Sequence, residues 1–205
     1  RRLPRSVERH ASEIDDALAA ITVCDPAIGS GAFPVGMMTE IVRARLVLTP
    51  YLDAPKNRTA YEFKRHAIES SLYGVDIDPG AVEIAKLRLW LSLVVDEEED
   101  RSIKPLPNLD FKIVVGDSLG AVEKNLFNSS LFSQLEELKP QFFNETNRRK
   151  KAQIREGIEA LIHQLTSGRE TFDFEIYFSE VFHARRGFDV VIANPPYVSV
   201  ERFAR

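Results

Sequence analysis

Ile21-Thr22-Val23-Cys24-Asp25-Pro26-Ala27-Ile28-Gly29-Ser30-Gly31-Ala32-Phe33-Pro34 reads as a short buried strand that turns through two glycines into a helix. The apolar run from Ile21 ends on the Asp25 carboxylate. Pro34 suits the first turn of a helix that continues through Met37, Met38, Ile41 and Val42. Gly29 and Gly31 permit positive φ and close approach by a ligand, and the helix start supplies free N–H groups. A nucleotide-like ligand fits such a turn, although a tight connection without a ligand accounts for the glycines equally well. The stretch is not a dinucleotide fingerprint, because the next glycine after Gly31 is Gly36, and no Gly-Lys-Ser/Thr follows to make a P-loop.

Three further segments rich in β-branched and aromatic residues also end on an acid or amide: Ser71 to Asp76, Phe111 to Asp117 and Phe188 to Asn194. Helical patterns lie between them, which predicts an α/β fold of about four parallel strands joined by right-handed crossovers. One helix is expected from about Gly80 to Val95. Val82, Ile84, Leu87, Leu89, Trp90, Leu91 and Leu93 give it a largely buried character. Residues 121–168 turn polar and charged and read as a helical hairpin inserted before the fourth strand. Its first arm carries Leu131, Leu135 and Leu138 and is expected to stop at Pro140. Its second arm carries Ile154, Ile158, Leu161, Ile162 and Leu165 on one face and stops at Gly168, with His163 on the opposite, solvated side. The acidic run Asp96 to Asp100 reads as a solvated loop.

At 205 residues and 44% hydrophobic composition the chain holds one ordinary core. No signal peptide or membrane span is expected, and the single cysteine, Cys24, supports neither a disulfide framework nor a cysteine metal site. The expectation is an intracellular protein without a metal. A formal charge of -4 lacks the broad basic excess of a protein that grips phosphates over its whole surface, so any nucleic-acid contact is local. The basic runs Arg148 to Lys151 and Arg185-Arg186 read as solvated faces.

Three more motifs carry chemistry. Gly74-Val75-Asp76-Ile77-Asp78-Pro79 puts a carboxylate at the carboxyl end of the second strand, where an acid can accept both hydroxyls of a ribose. Asp76 is assigned that role, and Asp78 is read as the cap of the next helix, with Pro79 in its first turn. Gly116-Asp117-Ser118-Leu119 closes the third strand, and Asp117 could accept from an exocyclic adenine amino group or merely form a turn. Phe188 to Tyr197 runs as a strand into Asn194-Pro195-Pro196-Tyr197. Two prolines fix the backbone and donate nothing, so the Asn194 and Pro195 carbonyls form a preset acceptor pair. Tyr197 offers a face on which a base can stack.

The ordered set DPAIGSGAF, GVDID, GDSL and NPPY resembles the DNA amino-methyltransferases, above all the adenine-specific ones fused within type IIG restriction-modification enzymes and their phage-defence relatives. The resemblance runs over nearly the whole chain. It implies a Rossmann-like core dependent on S-adenosyl-L-methionine and a prokaryotic, cytoplasmic setting, with double-stranded DNA as partner. It also implies that Asp25, Pro26, Ala27, Gly29, Gly31 and Phe33 surround the methionine part of the cofactor. Asp76 would lie at the ribose and Asp117 at the cofactor adenine, and Ile77 would also belong to the cofactor site. Asn194, Pro195, Pro196 and Tyr197 would hold a flipped adenine for methylation at N6.

Such proteins usually carry a further Tyr-Thr-Pro-like cofactor motif ahead of DPAxGSG, and residues 1–24 hold nothing like it. Only eight residues follow Tyr197. The expectation is therefore a truncated core, 1–205, with target-recognition and any nuclease domains absent and no activity in isolation. The competing readings are N4-cytosine methylation, N5-glutamine methylation of a protein, and a cofactor-binding fragment. A nuclease built on Asp110-Phe111-Lys112 is the remotest.

Overall fold

The computed structural model describes residues 3–53, 58–95, 105–120, 129–168 and 171–195. Four parallel strands, β1 (Val23–Asp25), β2 (Leu72–Asp76), β3 (Ile113–Val115) and β4 (Val190–Val191), form one sheet in the order β3-β2-β1-β4. Val23 pairs with Leu72 on one side and Val190 on the other, and Gly74 pairs with Ile113. The chain steps outward from β1 to β3 and then returns to the far side of β1. That reversal makes β1/β4 the switch point, where the crossovers diverge and leave a crevice at the carboxyl ends of the strands.

Alternation along the strands sorts the two faces. Val23, Leu72 and Ile113 join Met38, Val42, Phe63, Val82, Leu89 and Leu93 in one core. That layer is built from α3 (Ala32–Leu48), α4 (Ala60–His66) and α5 (Pro79–Val94). Cys24, Tyr73, Val75 and Val114 face the other way and pack on Phe172, Phe178 and Val181. There the cover comes from α8 (Phe174–Tyr177) and α9 (Ser179–Arg185). The short helices α1 (Arg5–Arg9) and α2 (Ala11–Ala20) precede β1.

Between β3 and β4 stand α6 (Ser129–Asn144) and α7 (Arg148–Leu165), joined by three residues and packed through Leu135, Phe142, Ile158, Leu161 and Leu165. So short a link makes them an antiparallel hairpin. Asn147 starts α7 by accepting from the N–H groups of Arg149 and Lys150. Gly168, at φ 76°, ends its final turn and donates to the His163 carbonyl.

Three expectations need correction. The strands are shorter than their apolar runs: ladder pairing is confined to Val23–Asp25, Leu72–Asp76, Ile113–Val115 and Val190–Val191, and only β1 and β2 have partner strands on both sides. Pro140 does not end α6, which continues to Asn144. Phe142 and Phe143 are buried, and the Asn108 side chain donates to the Phe142 and Glu145 carbonyls, so the last turn is held despite the missing proline N–H. Finally, α5 is not buried all round. Val82, Ala85, Lys86, Leu89 and Leu93 face inward, whereas Ile84, Leu87 and Leu91 are about half exposed.

Candidate functional site

The loop after β1 carries its strain on glycine. Gly29 and Gly31 have φ of 51° and 78°, and a Cβ on Gly31 would lie 3.1 Å from both Cα and Cβ of Ala85 in α5. The loop is tied to β2 by two hydrogen bonds: Ile28 N–H donates to the Val75 carbonyl at 2.9 Å and Gly29 N–H to Asp76 Oδ2 at 2.8 Å. Asp76 Oδ1 accepts from the Asp78 N–H at 3.0 Å, and Asp78 in turn caps α5 by accepting from Gly80 N–H at 2.8 Å. With four lone-pair positions on its carboxylate, Asp76 keeps acceptor capacity after both bonds.

Asp25 is 1% exposed. Its Oδ1 accepts from Ala27 N–H at 3.1 Å, while Oδ2 is buried without a partner among the described residues. Burial pushes its carboxyl pKa up, the Ala27 bond opposes that, and the neighbouring Asp76 adds to the rise. Phe33 and Ile77 are both exposed. On β3's exit, Gly116 N–H donates to the Asp76 carbonyl, and Asp117 accepts from the Leu119 N–H at 3.0 Å in an Asx turn. Gly116 is required for packing rather than for φ: a Cβ there would sit 2.5 Å from the Phe172 side chain.

β4 is aligned by a reciprocal lock at its entry. Asp189 Oδ2 accepts from Thr22 N–H at 2.8 Å and Thr22 Oγ1 at 2.9 Å, and the Asp189 N–H donates back to Thr22 Oγ1. Ile192 N–H then donates to the Cys24 carbonyl, which carries Asn194 and Pro195 out beside the β1 loop. Both are exposed. A cleft of about 460 Å³ opens there, lined by Pro26, Ala27, Leu119, Phe174, Phe182 and Pro195 among others. The segments carrying Asp25, Gly29, Gly31, Asp76, Asp117, Asn194 and Pro195 thus share the carboxyl edge of the sheet. Pro196 and Tyr197 lie outside the described residues, as do Asp96 to Asp100.

Asp110 and Lys112 do not form one constellation. The Asp110 carboxylate accepts from Lys86 at 2.8 Å and also pairs with Arg155, while Lys112 Nζ donates to Tyr73 Oη at 2.6 Å. The Asp-x-Lys spacing serves two separate packing contacts. Among the described residues no group of three or more His, Cys, Asp or Glu side chains could hold a metal ion, and no helix is long and apolar enough to cross a membrane.

Two polar clusters had no signal in the sequence. Asp15, although burial opposes its charge, is held at a pKa of about 2 by Arg58 and Arg45, whose guanidinium groups each lie over the Phe63 ring. Glu180 binds Lys139 at 2.8 Å and lies 3.7 Å from Lys112. Each cluster joins residues far apart in the chain, so no local spacing reveals it. The Phe172, Phe174 and Phe182 cover was likewise unassigned to the site, although its aromatic density was a usable signal.

The family described as Eco57I restriction-modification methylase matches residues 70–205. A Methanocaldococcus jannaschii protein named "Putative type II restriction enzyme and methyltransferase" is 38% identical over 120 residues, covering 57% of this chain and 10% of that protein. The chain thus spans about a tenth of that relative's length. No solved structure matches.

Proposed function

The chain belongs to the Eco57I restriction-modification methylase family, and on that footing we propose that it is the catalytic core of a DNA methyltransferase acting on the N6 amino group of adenine. The observation that carries this reading is the exit of Asn194 and Pro195 from β4 beside the positive-φ loop Asp25 to Gly31, with Asp76 bonded to that loop.

S-adenosyl-L-methionine is the cofactor implied, and when bound it supplies a methyl group on a cationic sulfur. The residues fit it. Asp25 Oδ2 is a buried acceptor without a donor among the described residues, the class of partner that an ammonium group provides. Asp76 retains acceptor positions for ribose hydroxyls, and Asp117 has an oxygen beyond the one its own turn uses. The bare glycines let Gly29 and Gly31 stand close to a ligand, and Pro26, Ala27, Phe33 and Ile77 supply apolar surface.

An adenine amino nitrogen is a poor nucleophile because its lone pair is delocalised into the ring. Asn194 Oδ1 and the Pro195 carbonyl accept the two amino hydrogens, favour a pyramidal nitrogen and stabilise the positive charge that develops on it. Pro196 fixes the backbone so that these dipoles need no reorganisation, and Tyr197 stacks on the base once it leaves the duplex. Catalysis on this reading is positioning plus preset dipoles.

Mass spectrometry of nucleosides from cells expressing the complete gene tests the claim. N6-methyladenine that disappears in Asn194→Ala is the expected result, and N4-methylcytosine or unmodified DNA would overturn it. A second reading, cofactor binding without turnover by this chain alone, is favoured by the bonds from Ile28 and Gly29 to β2, which assemble the glycine loop and Asp76 without Asn194 or Pro195. Calorimetry with S-adenosylhomocysteine followed by a methyl-transfer assay on the same sample separates the two.

A further inference from the structure

The outer face of α5 has a pattern that the methyl-transfer reading does not use. Ile84, Leu87, Leu91 and Val94 are each 50–54% exposed, spaced 3, 4 and 3 residues apart. Taking Ile84 as a, these are heptad positions a, d, a and d. The flanking exposed residues are Glu83 at g, Arg88 at e and Val95 at e. The buried residues Val82, Ala85, Lys86, Leu89 and Leu93 fall at f, b, c, f and c, on the side away from the seam. The helix therefore presents a complete a/d stripe to solvent while its opposite side is anchored in the core.

Charge decides which partner fits. In a parallel pair of helices the g residue meets the e residue five positions on in the other chain, and here g and e are Glu83 and Arg88, of opposite sign. Arg88 makes no ion pair with any described residue, and Glu83 reaches only Lys86. In an antiparallel pair g faces g and e faces e, so matching Ile84 with Val94 would bring Arg88 against Arg88 of the other copy and leave Glu83 without an opposite charge. The first heptad, with Ile84 at a and Leu87 at d, suits a two-stranded parallel pair, whereas the second, with Leu91 at a and Val94 at d, does not, so the charges decide the arrangement.

We infer that α5 is a self-association surface through which two copies of this chain form a parallel dimer about a two-fold axis running along the helix. Each copy contributes Ile84, Leu87, Leu91 and Val94 to the seam, and two symmetric Glu83–Arg88 pairs close its sides. α5 begins at the carboxyl edge of the sheet, so this symmetry turns the two clefts toward the same end of the dimer. The inference does not depend on what the cleft binds. A seam of two heptads is small, and the dimer is weak, with Kd on the order of 10–100 μM.

Sedimentation equilibrium of the 205-residue chain from about 1 to 500 μM, with circular dichroism and Trp90 fluorescence to verify folding, tests it. The expected result is a monomer–dimer equilibrium that Leu87→Glu weakens at least about ten-fold. Glu83→Arg weakens it about three- to five-fold, and Glu83→Arg combined with Arg88→Glu restores it. The two charge variants lie on the surface and report on the pair even if Leu87→Glu fails to fold. A chain monomeric at every concentration overturns the inference, as does a dimer indifferent to the seam variants. Failure of the double charge swap to restore association overturns the parallel arrangement.

Discussion

The Gly29 N–H donates to Asp76 Oδ2 at 2.8 Å, so the glycine loop after β1 and the acid at the end of β2 are one unit. Asp76 is therefore both a proposed ribose acceptor and the anchor that holds the loop near it. Asp76→Ala removes both and is expected to weaken S-adenosylhomocysteine binding by about 10- to 100-fold. Asp76→Asn keeps one carbonyl oxygen for Gly29 and is expected to lose less. Calorimetry on the two variants checks the order; equal affinities for wild type and Asp76→Ala would remove Asp76 from the site.

Two glycines in the same region are expected to respond in opposite directions. Gly31 is at φ 78° and its added Cβ would press on Ala85, so Gly31→Ala should cost about 1–3 kcal/mol. Gly36 lies inside α3 with nothing within 4 Å of an added Cβ, so Gly36→Ala should gain about 1 kcal/mol. Urea unfolding of both variants is the check.

The strand, glycine turn and helix around Asp25 were legible because each has a local cause, and so was the Asp78 cap, which needs only its own helix start. The helix α4 was not read, though Thr59 accepting from Glu62 N–H, with Phe63 and Ala67 inward, leaves a Thr-x-x-Glu trace ahead of apolar spacing. For α5, counting apolar residues found the helix but misjudged its outer face, since both sides are apolar and periodicity alone does not say which one meets a sheet. The site's outline followed from strand ends. The buried state of Asp25 and the Thr22–Asp189 lock depend on strand order, which residue patterns near either position do not encode.

Lys112 should make stability rise with pH. Burial depresses its pKa from 10.5 to about 8, only partly offset by Glu180. Between those two values the unfolded chain binds the proton and the folded chain does not, so this group's contribution to the unfolding free energy increases from about pH 8 to 10.5. The rise is at most about 3 kcal/mol. Lys112→Met, which leaves Glu180 paired with Lys139, should lack it. The stability difference between wild type and variant in urea at pH 7, 9 and 10 measures the effect; a difference that stays constant would show that Lys112 does not titrate in this range.

The Asp189 carboxylate reaches across the sheet edge to Thr22, and its pKa is lowered chiefly by the Thr22 N–H, with burial opposing and the Thr22 hydroxyl and Arg185 adding to the fall. Its stabilisation is present above the ordinary aspartate range and lost as pH falls through the lowered value. The side chain is partly exposed, so the effect on global stability is small, about 1 kcal/mol for Asp189→Ala. The local effect should be larger. Val190 and Ile192 donate to the Thr22 and Cys24 carbonyls, and with the Asp189–Thr22 lock these bonds tie β4, the strand that delivers Asn194, to β1. In Asp189→Ala the amides of Val190 and Ile192 should exchange with solvent at least about ten-fold faster, while Gly74 and Gly116, on the β2/β3 side, stay unchanged. Asp189→Asn, which keeps an acceptor for Thr22, should fall between. Uniform acceleration across all four amides would mean that the variant loosens the whole sheet rather than the β4 edge, and the lock would lose its claim to position Asn194.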